Sequence, residues 1–348
     1  MITERFIGGR KTGTFTLQWH LTNACEEHCA HCYDRRDLSI LSPDECFRVF
    51  GDFQRFCASR RARGQISLSG GNPLFYPGFW DIYRVIVNAK VKVTILGNPI
   101  DEETIARFRE IAYPFYYQVS IEGLSGTNDA IRGKGHFDRA MQFLISAKRL
   151  GMPAQAMLTL SSLNMEETIP LAEKLDEIGI SFRFNRLCQV GEGKSIDVPN
   201  AEDYEAFLIR YLESAREHPH MGMKDNLFNI IRHCEKRSHF AGCTGYGCGA
   251  AFNFVALLPN GEVHACRKFP SPIGDIREES LGAIYNSQTA ARYRSGPKAC
   301  HRCPVRHCRG CMAALYGAGK DPLVDLDPQC FFKQKSNCDQ KSITAIQT

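Results

Sequence analysis

The chain has 348 residues, 43% of them hydrophobic, with a formal charge of +5 and 16 cysteines. That length and apolar content can bury a full core and exclude a disordered polymer, while no uninterrupted apolar stretch approaches the ~18 residues a membrane-spanning helix needs. No basic stretch and apolar core open the N-terminus, which argues against a secreted disulfide framework and makes a reducing cytoplasm the expectation, and the mild charge, with a basic run at 60–63, gives no nucleic-acid stripe.

A first β-like run at 15–21 leads directly into Cys25, Cys29 and Cys32, a C-x3-C-x2-C triplet. Three thiolates cannot complete a four-iron cluster and would leave one iron open to another ligand. Close cysteine pairs also occur in zinc sites. Further strands are predicted at 65–69, 91–96, 116–121, 154–160 and 181–187, with helices over 43–60, 76–88, 102–112, 137–150 and 164–178. Gly151 and Gly179 stand where helices stop before the next strand. Alternation with such short connections predicts a parallel sheet with helices outside it and chemistry at the C-terminal strand ends. Six units are too few to close an eight-stranded barrel, so the expected α/β fold is an open, partial (β/α)6 TIM-like barrel over residues 1–200.

Ser69-Gly70-Gly71-Asn72-Pro73 follows the second strand. Alone it reads as a turn, but its glycines permit close backbone approach. A helix-period stretch at 202–217 falls in a bridging segment, 201–239, and alternation then fades into a Cys-rich domain over 240–348. There Cys248 is followed by Gly261-x4-Cys266, then by Cys300-x2-Cys303-x4-Cys308-x2-Cys311 and Cys330, with Cys243 five positions ahead of Cys248. Eight thiolates would saturate two four-iron clusters; paired C-x2-C motifs also build four-cysteine zinc sites. Cys46, Cys57, Cys188 and Cys234 have no partner spacing and read as buried thiols.

Triplet and glycine motif together resemble the radical S-adenosylmethionine (SAM) superfamily, the second motif matching its G-G-E-P segment. The resemblance implies that the triplet holds a [4Fe–4S] cluster whose open iron binds SAM, and that Gly70, Gly71, Asn72 and Pro73 serve the methionyl end. Asn72 replaces the usual glutamate and brings no charge. His31 fills a position that is commonly aromatic, either against adenine or as a packing residue. The run Val119-Ser120-Ile121-Glu122-Gly123, followed by Asn128-Asp129-Ala130-Ile131-Arg132-Gly133, is similar to a fourth-strand segment of the same enzymes. In it Ser120 and Glu122 are implied SAM-site residues, the Glu122 carboxylate binding ribose or substrate, or else bracing a basic neighbour. Asn164 and Arg186 are implied SAM contacts as well, Asn164 reading equally as a helix cap with Glu167 completing a capping box.

The C-terminal cysteines resemble the SPASM extension of peptide-modifying radical SAM enzymes, with spacers of four and two where five and three are more common. By that resemblance Cys243, Cys248, Cys266 and Cys311 hold one auxiliary [4Fe–4S] cluster. Cys300, Cys303, Cys308 and Cys330 hold another, with Cys338 an alternative to Cys330, making three clusters in all. Reductive cleavage of SAM to a 5′-deoxyadenosyl radical is the implied chemistry. Sulfatase maturases carry an aspartate base directly after the cysteine that aligns with Cys266; here Arg267 stands there, which suits an acidic peptide or a carboxylate, or an ion pair with Glu262 or Asp275. The expected function is maturation of a ribosomally synthesised peptide, one rich in cysteine, by a thioether or carbon–carbon crosslink or an oxidation.

Expected partners are the peptide or protein substrate and a low-potential donor such as flavodoxin or ferredoxin; with 24 residues before Cys25, either a separate leader-peptide recognition protein presents the leader or the substrate binds by another route. Neither nucleic acid nor membrane is expected. Competing readings are tailoring of a small cofactor or haem precursor, sulfatase-type maturation, and an iron–sulfur or zinc scaffold without catalysis. Tyr33 and Tyr246 are candidate second donors.

Overall fold

The computed structural model describes residues 13–238, 247–305 and 307–332. Strand β1 (Thr14–Thr22) alternates in burial at its start and is continuously buried at its end, as a strand covered on both faces requires. A capping box opens α1 (Pro43–Ser59): the Glu45 amide donates to Ser42 Oγ, the Ser42 amide donates to the Glu45 carboxylate, and Pro43 takes the first turn, where no amide is needed.

The alternation continues through β2 (Arg63–Gly70), α2 (Phe79–Asn88), β3 (Lys92–Leu96), α3 (Glu102–Ile111), β4 (Tyr117–Ser120), α4 (Ser125–Arg132), α5 (His136–Arg149), β5 (Ala154–Leu160), α6 (Met165–Glu177) and β6 (Ser181–Arg186). All six strands pair in parallel in the order 6-5-4-3-2-1, the open (β/α)6 arrangement expected. Gly151 and Gly179 adopt positive φ, 80° and 67°, and close α5 and α6. Helix α4 was not predicted: it buries only Asn128 and Ile131, too little for a 3.6-residue period to emerge.

Asn200 caps α7 (Ala201–Ser214), and α8 (Phe228–Cys234) follows. The Cys-rich segment then joins the same sheet. Strand β7 (Phe254–Leu257) pairs in parallel with the free edge of β1, and β8 (Glu262–His264) and β9 (Pro272–Asp275) extend it antiparallel into nine strands. Pairing β7 with β1 removes an edge that would otherwise expose unpaired backbone groups. Helices α9 (Leu281–Asn286), α10 (Gln288–Ser295) and α11 (Met312–Gly317) complete the described chain.

The core lies between sheet and outer helices, where Phe79, Tyr83, Phe108 and Tyr117 pack edge to face or stacked, all fully buried. Burial of each such ring contributes about 1.5–3 kcal/mol. Among the described residues no helix is long and apolar enough to cross a membrane.

Candidate functional site

The ends of β1 to β6 converge on a cleft of about 430 Å³ lined by Cys25, Cys29 and Cys32. Cys29 is buried and its two companions half-buried, and burial pushes the Cys25 and Cys29 thiols up. Two donors meet the sulfurs: Asn98 Nδ2 donates to Cys25 Sγ at 3.4 Å and Arg132 Nη1 to Cys29 Sγ at 3.4 Å. The loop itself is pinned from several sides. Arg35 Nη2 donates to the Cys29 carbonyl at 2.7 Å, and the Glu192 amide donates to the Cys32 carbonyl at 2.9 Å. Gly191, at φ +61°, lies so close that a Cβ there would meet the Cys32 oxygen at 2.6 Å.

Gly70 and Gly71 press against the entry to this loop. The Gly71 amide donates to Thr22 O and the Asn72 amide to Ala24 O, both at 2.8 Å. A Cβ on Gly70, whose φ is +144°, would lie 2.0 Å from Thr22 O, and one on Gly71 would lie 2.4 Å from Ala24 O. Both glycines also line the cleft, whereas Asn72 and Pro73 are buried beside it. Asn72 Nδ2 donates to Glu26 at 2.9 and 3.1 Å while its Oδ1 accepts the Leu74 amide. An uncharged amide at this position thus holds a carboxylate supplied by the Cys loop.

Glu122 follows the choice of bracing a basic neighbour. It is fully buried outside the cleft lining, with Oε1 2.6 Å from Arg132 Nη2 and 2.9 Å from His31 Nε2, and Oε2 accepting the Thr159 amide at 2.6 Å. Burial opposes its ionisation, but His31 and Arg132 outweigh that and hold the carboxyl at about 2. Glu122 thereby aims Arg132 at Cys29 and steadies His31, whose ring lines the cleft. Ser120 lines it too.

Asn164 stands at the N-terminus of α6 without capping it by its side chain. Its Nδ2 donates to the carbonyls of Glu122 and Thr159, and its Oδ1 accepts the Ser161 amide, so it ties the β4 and β5 ends together. The expected capping box does not form, because Glu167 accepts from the Leu124 amide and Thr127 Oγ1 instead. Arg186, although at the cleft wall, is engaged by protein: Asp225, Asp327 and Gln329 accept from its guanidinium at 2.7–2.9 Å.

Sequence reasoning passed over Asn98, Ser69 and Arg132 as site residues. Ser69 and Asn98 stand at or just past the end of a strand, the position where a parallel barrel puts its chemistry, and that was the signal available; Arg132 ends α4 and carried no such signal. Ser69 Oγ and His31 Nδ1 are buried at the cleft without a hydrogen-bond partner among the described residues. Thiols met by donors, glycines that admit no Cβ and unpaired polar atoms fit a site for an iron–sulfur cluster and a polar ligand.

Beyond the cleft, Cys248, Cys266 and Cys311 share one apolar patch with Cys188, whose thiol interacts electrostatically with that of Cys311. That interaction, with burial, pushes the Cys188 thiol up; on Cys311 the same interaction outweighs burial, which opposes it, and draws the thiol down to about 6. Cys300, Cys303, Cys308 and Cys330 form a second group within reach of each other's charge. Among the described residues no three His, Cys, Asp or Glu side chains converge on a single-ion site. Cys243 and Cys338 lie outside the described residues, as does Tyr246. Cys46 and Cys57 are buried thiols on the inner face of α1, while Cys234 is half-buried and disulfide-bonded. Arg267 pairs with neither Glu262 nor Asp275 among the described residues: Glu262 pairs with His264, Asp275 accepts the Arg277 amide, and Arg267 faces the Tyr33 ring at 5.8 Å. Tyr33 is half-buried, its hydroxyl pushed up to about 12 by desolvation.

Comparison with known proteins agrees with this geometry. Residues 19–175 match the radical SAM superfamily and residues 248–312 match SPASM, an iron–sulfur cluster-binding domain. The chain is 29% identical over 338 residues to the mycofactocin maturase MftC of Mycobacterium tuberculosis, covering 90% of this chain and 82% of that protein. It is 26% identical over 345 residues to the AdoMet-dependent heme synthase of Methanosarcina barkeri, covering 91% and 96%. Its fold is similar to that of Streptococcus suis SuiB bound to the precursor peptide SuiA, with a TM-score of 0.73 at 18% identity over 92% of this chain and 76% of that one. With both halves of the cysteine pattern matched across one continuous fold, the chain belongs to the SPASM group of the radical SAM superfamily, an enzyme family whose cofactors are SAM, a SAM-binding [4Fe–4S] cluster and auxiliary iron–sulfur clusters.

Proposed function

We propose that this enzyme modifies a ribosomally synthesised, Cys-bearing precursor peptide. The observation that carries the reading is a single cleft with the Cys25, Cys29, Cys32 triplet on one wall and Arg267, Lys268 and Cys188 on another, next to the auxiliary thiols. Cys25, Cys29 and Cys32 would hold the first cluster. Cys248, Cys266 and Cys311 would hold one auxiliary cluster, with Cys243 the residue expected fourth, and Cys300, Cys303, Cys308 and Cys330 the other, three clusters in total. Bound and reduced, the first cluster supplies the electron that releases a hydrogen-abstracting radical from SAM.

The chain's own residues set the conditions for that chemistry. Asn98 and Arg132 donate to the sulfurs and withdraw charge from them, which raises a cluster's potential. Gly70 and Gly71 offer bare backbone to a ligand, and Ser69, Ser120 and Gln118 line the cleft as polar positions. Arg267 and Lys268 place two cations where a substrate would enter, complementary to an acidic segment or a carboxylate. MftC, named a maturase, and SuiB, solved with its precursor peptide, support a peptide substrate. A flavodoxin or ferredoxin in a reducing cytoplasm would serve as electron donor, and a separate protein would present the leader.

A second reading, tailoring of a haem precursor, is favoured by the match that spans 96% of the heme synthase. One anaerobic assay separates the two. The protein is incubated with SAM, dithionite and either a Cys-bearing peptide encoded beside its gene or a tetrapyrrole precursor, and products are read by mass spectrometry. A hydrogen-deficient peptide is the expected result; modification of the tetrapyrrole alone would overturn it.

A further inference from the structure

Cys188 was set aside by sequence spacing, yet it occupies the seam between the SAM cleft and the auxiliary thiols. It lies two residues past β6, is 5% exposed, and lines the same cleft as the triplet. It is also in the apolar patch with Ala250, Phe269, Met312 and Ala313, against which Cys248, Cys266 and Cys311 pack.

The surrounding structure fixes this placement. Asp327 grips Arg186 at the end of β6 with both carboxylate oxygens, and its Oδ2 also accepts the Cys311 amide at 2.8 Å. One carboxylate therefore holds the strand that leads to Cys188 and the backbone of Cys311 in register. From the other side Gly317, in α11, lies so close to the next residue that a Cβ there would meet the Gln189 amide nitrogen at 2.6 Å. The Cys188 segment cannot withdraw without breaking the Arg186 clamp or the α11 contact.

We infer that Cys188 is the fourth thiolate of the auxiliary cluster held by Cys248, Cys266 and Cys311, and that it forms the corner of that cluster facing the SAM cleft. The inference rests on the auxiliary-cluster reading above and replaces Cys243, the residue that the resemblance put in this role. A four-iron cluster is complete with four thiolates; Cys248, Cys266 and Cys311 pack on one apolar patch, and Cys188 is the buried thiol within that patch.

The test is spectroscopic and needs no substrate. Full-length wild type, Cys188→Ala, Cys188→Ser and Cys243→Ala are reconstituted anaerobically, assayed for iron and sulfide, and examined by Mössbauer spectroscopy and by electron paramagnetic resonance after reduction. Wild type should hold about twelve irons. Cys188→Ala should lose about four of them, or keep them with an altered auxiliary signal. Cys188→Ser should retain the cluster with shifted g values. The triplet's own cluster, unchanged in both, reports that the variants have folded. A wild-type auxiliary spectrum in Cys188→Ala, with the signal lost in Cys243→Ala, would overturn the assignment. So would loss of every cluster from both Cys188 variants, which marks a structural role. Absence of auxiliary iron from the wild type would instead sink the reading on which the inference rests, and the inference with it.

Discussion

Arg132 carries two tasks with one guanidinium, donating to Cys29 Sγ while pairing with the fully buried Glu122. Removing one member of a buried pair strands the other, at a cost of about 3–5 kcal/mol. Arg132→Gln should therefore lower the denaturant midpoint strongly, and the double variant Arg132→Gln, Glu122→Gln should recover part of that loss in a double-mutant cycle. Equal loss in both would contradict the coupling. The sign of the pH dependence follows from the depressed carboxyl. Glu122, at about 2 against an ordinary 4.5, contributes stability that is complete above about 4.5 and lost as pH falls through about 2. Acid titration of stability should lose part of that slope in Glu122→Gln. Gly70→Ala imposes a positive φ on an L residue and a contact at 2.0 Å with Thr22 O. We expect the Cys loop to be displaced and reconstituted iron to fall by about four per chain. Such residues were legible unequally: the motif placed Gly70, but nothing in it foretold that Thr22 needs the space.

At the level of elements, the period of the apolar residues located six strands and the main helices, because each buries a face in one core. It missed α4, which buries two side chains, and β7 to β9, which have four, three and four residues and lie among dense glycines. Their order comes from pairing with β1 and not from local pattern. The same holds for the partners of Arg186: a residue 141 positions away in sequence cannot be inferred from the strand that it ends. That clamp is testable. Asp327→Ala should destabilise the protein by about 3–5 kcal/mol and reduce auxiliary iron, since Asp327 also accepts the Cys311 amide and its carbonyl accepts that of Cys330. Wild-type auxiliary spectra in that variant would contradict it. By comparison Ser42→Ala removes one cap of α1, costs about 1 kcal/mol and should leave iron content unchanged.

Over the whole molecule, a nine-stranded sheet with β1 inside it is what brings two distant cysteine sets to one cleft. The triplet leaves one end of β1, and β7, paired to that same strand, leads through β8 to Cys266 and Arg267. The grouping of the cysteines into a triplet and a C-terminal array was legible in the sequence, because cysteine spacing is local. Spacing reads Cys188 as a buried thiol, which it is; that it shares a patch with Cys311 is set by the tertiary fold alone. The central claim is that the triplet drives SAM cleavage in this cleft, and anaerobic assay of 5′-deoxyadenosine formation with dithionite, in wild type and Cys29→Ala, tests it most directly. The account predicts SAM-dependent product in the wild type, with about twelve irons per chain, and none in the variant, which keeps about eight. Equal product from both, or none from a fully reconstituted wild type, would contradict it.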